Sequence, residues 1–169
     1  MKLRDHAAAM AAYNQWMNHK LYAAAARLSD EERKRDLGAF FKSLHGTLNH
    51  ILVGDRMWFG RFTGEIVRFP SLAHVICSDF AELRRERART DAAIGAYADA
   101  LTPERLATPL VYRTFLNPRD VAFPLGFALM HFFNHQTHHR GQATALLMQL
   151  GVDPGLTDLI YLPGMEGRR

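Results

Sequence analysis

The chain reads as all-α, a four-helix bundle with a short extended excursion between its third and fourth helices. Three observations predict this. Apolar residues recur at three- and four-residue steps through long runs that begin at capping residues and end at glycine or proline. One stretch alone, residues 106–121, favours strands and turns. No internal repeat, low-complexity run or linker interrupts the 169 residues, so 1–169 is read as one domain with enough chain for a real core. Helices in series bury their apolar faces most simply against one another in a bundle.

The first helix is expected from about Leu3 to Leu28, alanine-rich, with Met10, Tyr13, Met17 and Leu21 on one face. Ser29-Asp30-Glu31-Glu32 marks a break and a capped short turn. A second helix is expected from Phe40 to Gly64, carrying Leu44, Leu48, Ile51, Leu52, Trp58 and Phe62. Gly64 and Pro70 bracket a loop, after which Ser71 is an N-cap candidate for a third helix reaching about Leu101, before Thr102-Pro103. Thr108, Val111, Tyr112, Thr114 and Asn117-Pro118 then suggest a hairpin-like excursion. Pro124 suits the first turn of a fourth helix that ends at Gly151, and residues 152–169 are expected to wrap the surface or fray.

Composition narrows the function classes. The net charge of +4 is spread along the chain except at Arg84-Arg85-Glu86-Arg87-Ala88-Arg89, read as a solvated helix face. Neither a recognition-helix arrangement nor an aromatic platform accompanies those arginines, so no nucleic-acid partner is expected. Cys77 is the only cysteine, which excludes an internal disulfide and a Cys-rich zinc site; it is expected in the third helix as a packing residue. No signal-peptide pattern and no membrane-spanning apolar run is visible, so a soluble, cytoplasmic protein is expected.

The histidines carry the chemistry. Four of nine lie within nine residues, at His131, His135, His138 and His139. A helix turns ~100° per residue, which puts His135 and His139 one turn apart on one face, the spacing with which a helix offers two imidazoles to one metal ion. The surrounding Phe127, Leu129, Phe132, Phe133, Leu146 and Leu147 imply burial, and buried polar rings need partners. His50 is the best third ligand: its helical neighbours Ser43, Thr47, Gly54 and Met57 are small or adaptable and leave room for an ion and a substrate. His45 lies ~140° around the helix from it, and His6, His19 and His74 read as surface residues. His131 and His138, ~20° apart on the same stripe, are open as outer-shell partners, substrate contacts or substitute ligands. Thr47 is a further possible contact, and Arg140 either adds to the positive field or leaves the bundle at the surface. Met57 and Trp58 are read as core; Tyr13, Trp16 and Asn18 either line the cavity or pack.

No carboxylate occurs between Asp120 and Asp153. The His135–His139 pair therefore lacks the glutamate base of the His-Glu-x-x-His metalloproteases. Three neutral imidazoles leave a divalent ion with its charge, so the site favours an anionic fourth ligand such as hydroxide, carboxylate or thiolate.

Several segments together resemble the DinB-like (DinB/YfiT) family of metal-dependent proteins. They are Tyr13-Asn14-Gln15-Trp16-Met17-Asn18; Ser43-Leu44-His45-Gly46-Thr47-Leu48-Asn49-His50-Ile51 with Asp55 and Trp58; Asn134-His135-Gln136-Thr137-His138-His139-Arg140-Gly141-Gln142; and Gly151-Val152-Asp153-Pro154 with Asp158. The resemblance spans nearly the whole chain in order. It implies a four-helix bundle, commonly a homodimer, with one divalent metal on His50, His135 and His139. It also implies, from relatives that are thiol-dependent S-transferases or isomerases, a small-molecule thiol and an electrophilic substrate as partners. Zinc or nickel heads the choice of ion, with iron and copper compatible with three imidazoles. The resulting expectation is a metal-dependent thiol transferase or hydrolase using a metal-bound thiol or water as nucleophile. The alternative is a non-catalytic metal-binding stress-response protein with a structural metal site.

Overall fold

The structure is a computed structural model that describes residues 2–165. Four long helices form the bundle: α1 (Leu3–Ala25), α3 (Leu44–Thr63), α4 (Phe80–Asp99) and α6 (Leu125–Gln149). Two one-turn helices, α2 (Asp30–Lys34) and α5 (Pro103–Ala107), sit in connections. Strands β1 (Pro109–Arg113) and β2 (Asp120–Pro124) pair antiparallel, with Leu110 opposite Phe123, and form the expected excursion. α1 packs on α4 and α6, and α3 packs on the same two helices from the other side, so α1 and α3 face each other across the diagonal.

Two helix starts differ from the sequence expectation. α3 begins at Leu44, not Phe40, because Lys42 adopts a left-handed φ of 65° that a helix cannot contain, and Ser43 then caps with its Oγ accepting from Gly46 N–H at 3.0 Å. α4 begins at Phe80, not after Ser71: Asp79 caps it by accepting from Glu82 N–H at 2.7 Å. Residues 64–79 form an irregular loop instead, and side chains of α3 tie down its end at Cys77. Asn49 accepts from Cys77 N–H at 3.1 Å and donates to Cys77 O at 3.2 Å, and His45 Nε2 donates to the same carbonyl at 2.9 Å. Cys77 is therefore a buried loop residue, not a helical one. Pro124 ends β2 and caps α6 rather than lying inside its first turn.

The end of α6 matches the expectation. Gly151 at φ 76° lets Gly151 N–H reach Met148 O and Val152 N–H reach Leu147 O, closing the last turn. The following segment runs back along α1: Tyr13 donates to Thr157 O at 2.5 Å and Leu162 buries against Tyr13 and Met17. Residues 166–169 of the expected tail lie outside the described residues.

Two apolar clusters fill the bundle ends, one around Leu21, Leu44, Leu48, Leu83 and Leu147, the other around Ala11, Phe62, Ile94, Leu129 and Phe132. Between them lies a buried polar belt built from all four long helices. Asp55 of α3 accepts from Gln136 of α6 at 3.0 Å and from Arg87 of α4 at 2.5 Å. Asp91 takes Arg87 at 2.8 Å and the amides of Asn14 and Asn18 from α1 at 3.0 and 2.9 Å. Arg140 donates to Asn14 Oδ1 and to Thr137 Oγ1, and its guanidinium lies over the Tyr13 ring. Burial pushes the Asp55 and Asp91 carboxyls up, and Arg87 opposes this. Two arginines and two aspartates thus balance inside the bundle. Arg87, expected on a solvated face, is buried, whereas Arg84, Arg85 and Arg89 are exposed. Among the described residues no helix is long and apolar enough to cross a membrane.

Candidate metal centre

The α3–α6 seam brings His50, His135 and His139 together, each offering a ring nitrogen within 4.8 Å of the others. α6 supplies two imidazoles one turn apart, and α3 brings His50 opposite because the helices pack side by side at this level. Gly54 makes that approach possible. A Cβ there would stand 2.8 Å from His135 Cε1, so any side chain would push the imidazole away.

Each ring is oriented from behind. His50 Nδ1 lies 2.7 Å from Leu72 O, and since a carbonyl only accepts, the ring carries its proton on Nδ1 and shows a lone pair at Nε2. His139 Nδ1 donates to Gln142 Oε1 at 2.7 Å, with the same result. The two Nε2 atoms then face each other at 3.1 Å. Two lone pairs that close repel unless a cation lies between them. Burial pushes His50 down to about 4 and lowers His139 as well, so a proton is not that cation near neutral pH; His135 is pushed down to about 3, with the neighbouring imidazoles adding to the effect of burial. His135 Nδ1 is moreover buried without a hydrogen-bond partner, a costly state for a polar atom. Three neutral imidazoles with converging nitrogens and an orphaned ring atom fit a divalent metal ion.

Other expected residues fall in different places. Phe41 stacks on His50 at 3.7 Å between centroids and shields that ring. His138 is exposed and outside the three-nitrogen cluster; it accepts from Gln142 Nε2 at 3.3 Å, so it orients the amide that holds His139. His131 is also outside the cluster, with its ring 4.8 Å from Trp58 and 6.1 Å from His135. Thr47 is buried and donates to Ser43 O at 2.9 Å. Arg140 is not at the surface: it is 2% exposed and its donors go into the polar belt. Tyr13 and Asn18 likewise serve the interior, away from the histidine cavity. His45 holds the 64–79 loop, and His19 is exposed, whereas His6 and His74 are half-buried.

A cavity of about 260 Å³ opens beside the cluster, lined by His50, His135 and His131 and by Met57, Trp58 and Arg61 further along α3. The loop residue Leu72 and the hairpin residues Tyr112, Phe115 and Leu116 close it. Met57 and Trp58, read from the sequence as core, are thus cavity wall as well. Four features escaped the sequence reading: Leu72, Phe41, Gln142 and Arg61. Leu72 and Phe41 lay in segments expected to be helical. Gln142 could have been found, since it stands three residues after His139 on the same face.

A family model described as DinB family matches residues 3–168. Protein DinB of Bacillus subtilis (strain 168) is 25% identical over 167 residues, covering 95% of this chain and 95% of that protein. The crystal structure of a DinB-like protein from Bacillus cereus ATCC 10987 superposes with a TM-score of 0.61 at 20% identity, over 83% of this chain and 89% of the other, which shows a shared fold. With the match running through every bundle helix, the chain belongs to the DinB family.

Proposed function

We propose that this protein is a metal-dependent enzyme, with one divalent ion on His50, His135 and His139 and a small thiol or water as nucleophile in S-transfer or hydrolysis. The observation that carries this reading is the cavity: two of the three converging imidazoles, His50 and His135, line an open space, and neither a carboxylate nor a cysteine lines it. An ion bound there supplies Lewis acidity and lowers the pKa of a thiol or water at its remaining position. The chain's own residues do the rest. Leu72 O and Gln142 fix the tautomers that aim Nε2 of His50 and His139 inward. Phe41 covers one side of His50, while Met57, Leu72 and Phe115 supply apolar wall beside the imidazoles. Zinc and nickel suit three imidazoles, with iron and copper as the other candidates. A cytoplasmic homodimer is the setting proposed for this activity.

The test pairs metal analysis of protein purified without an affinity tag with turnover of monobromobimane by several thiols. The expected result is near one equivalent of metal, lost in His50→Ala, His135→Ala and His139→Ala, together with a thiol-dependent rate that chelation abolishes. Undiminished metal in all three variants sinks the site. A second reading, a structural ion in a stress-response protein, draws on the way the cluster bridges α3 and α6. It predicts a sharp fall in melting temperature on metal removal with no metal-dependent rate for any thiol or hydrolysable substrate.

A further inference from the structure

Arg61 stands apart from the other half-buried or buried arginines. It lies on the stripe of α3 that includes His50, Gly54, Met57 and Trp58, and it lines both the 260 Å³ cavity and a larger adjoining cleft of about 580 Å³. Its guanidinium sits 4.4 Å from the Trp58 ring centroid and 4.4 Å from that of Tyr112, in the angle between two rings inclined at 67° to each other, so aromatic contacts hold the group in place without using its N–H donors. Among the described residues it has no carboxylate partner and donates no hydrogen bond, whereas Arg33, Arg56 and Arg87 are ion-paired and Arg140 donates to Asn14 and Thr137. Burial also works against its charge. No acidic residue lines the inner cavity, and Glu65 is the only one lining the outer cleft, where Arg68 and Arg113 oppose it. A cation taken partly out of water and left unpaired is costly unless an anion arrives from solution.

We propose that Arg61 is the specificity residue of this cavity and that the small molecule it admits carries a carboxylate at one end of an apolar body. The proposal rests on reading the histidine cluster as a catalytic metal centre, which would face the other end of that molecule. Three features select this class. A guanidinium packed between two aromatic rings, with its N–H groups engaged by no protein acceptor, offers a two-pronged fork that matches a planar carboxylate. The rest of the lining is mostly apolar or aromatic, with Met57, Trp58, Leu72, Phe115 and Leu116, and it holds no carboxylate, lysine or second arginine to accompany a charged linker. Gly54, beside His135, and Arg61 are seven residues apart on α3, about 10 Å along the axis, so the charged end is remote from the reacting end. The carboxylate then positions the molecule and leaves the metal coordination to its other terminus.

The test uses full-length protein and two probes of equal length, 6-mercaptohexanoate and 6-mercaptohexan-1-ol. Affinity is read from the thiolate-to-cobalt absorption band of protein loaded with Co(II). The acid should bind about 10- to 100-fold more tightly than the alcohol. Arg61→Gln should bring the acid-to-alcohol affinity ratio close to one, and Arg61→Lys, which keeps the charge without the planar fork, should retain part of the preference. In a second arm, hexanoate is titrated into the protein as purified while the Trp58 indole N–H resonance is followed; a shift is expected in the wild type and not in Arg61→Gln. Equal affinity for the two thiols overturns the proposal. So does a preference that survives Arg61→Gln, since the carboxylate would then be held elsewhere. A cobalt band without carboxylate preference removes the proposal and leaves the thiol reading standing. An Arg61-dependent hexanoate shift without a band for any thiol does the reverse.

Discussion

His139 shows how a single side chain at this centre depends on what stands behind it. Its Nδ1 is held by Gln142, and Gln142 is in turn held by His138, so the exposed end of the histidine-rich stripe orients a residue of the cluster without entering it. Gln142→Ala should therefore weaken metal binding about 10- to 100-fold while leaving the fold intact, as a competitive chelator titration would show. Gln142→Glu should keep the acceptor and most of the affinity. The depressed imidazoles make a second prediction. His50 and His135 fall from 6.5 to about 4 and about 3 because burial disfavours their charged forms. The unfolded chain takes up those protons near pH 6.5, and the folded protein only well below it. Their contribution to stability is thus complete above the unfolded value and declines as pH falls toward the folded ones. The urea midpoint of the metal-free protein should drop between about pH 7 and about pH 4.5, more steeply than that of His50→Ala.

At the scale of elements, the decisive feature is the segment 64–79 between α3 and α4. Were it the start of a helix, the Leu72 carbonyl would turn toward its own helix and His50 would lose its acceptor. Asp79, not Ser71, caps α4, and the two positions separate the alternatives cleanly. Asp79→Ala should cost about 1 kcal/mol by chemical denaturation and Ser71→Ala close to nothing. The reverse order would restore the longer helix. Ser71, Asp79 and Ser43 all look like caps in the sequence. Which of them caps is decided by Lys42 turning left-handed before α3 and by Asn49 and His45 tying down Cys77 before α4. A cap signal is local, whereas these competing bonds come from residues about thirty positions away in the chain.

At the scale of the whole molecule, the polar belt divides the core and links the four long helices at the level of the centre. Arg87 is its keystone, bonded to Asp55 and Asp91 with almost no exposure. Arg87→Met should cost about 3–5 kcal/mol in denaturant unfolding, because two buried carboxylates lose their counter-charge. Replacing Arg87, Asp55 and Asp91 together by apolar residues of like volume should cost far less. Periodicity and caps were enough to determine the number of bundle helices, the hairpin between α5 and α6, the pairing of His135 with His139 and the choice of His50, since each follows from helical arithmetic or a local breaker. Only the tertiary structure decided that Arg87 and Arg140 turn inward, that Leu72 and Gln142 set the imidazole tautomers, and that Arg61 faces the cavity with its charge unmatched. Local sequence carries the period of a helix but not the identity of its neighbours. Where a charged side chain goes depends on which partner the packing brings within reach.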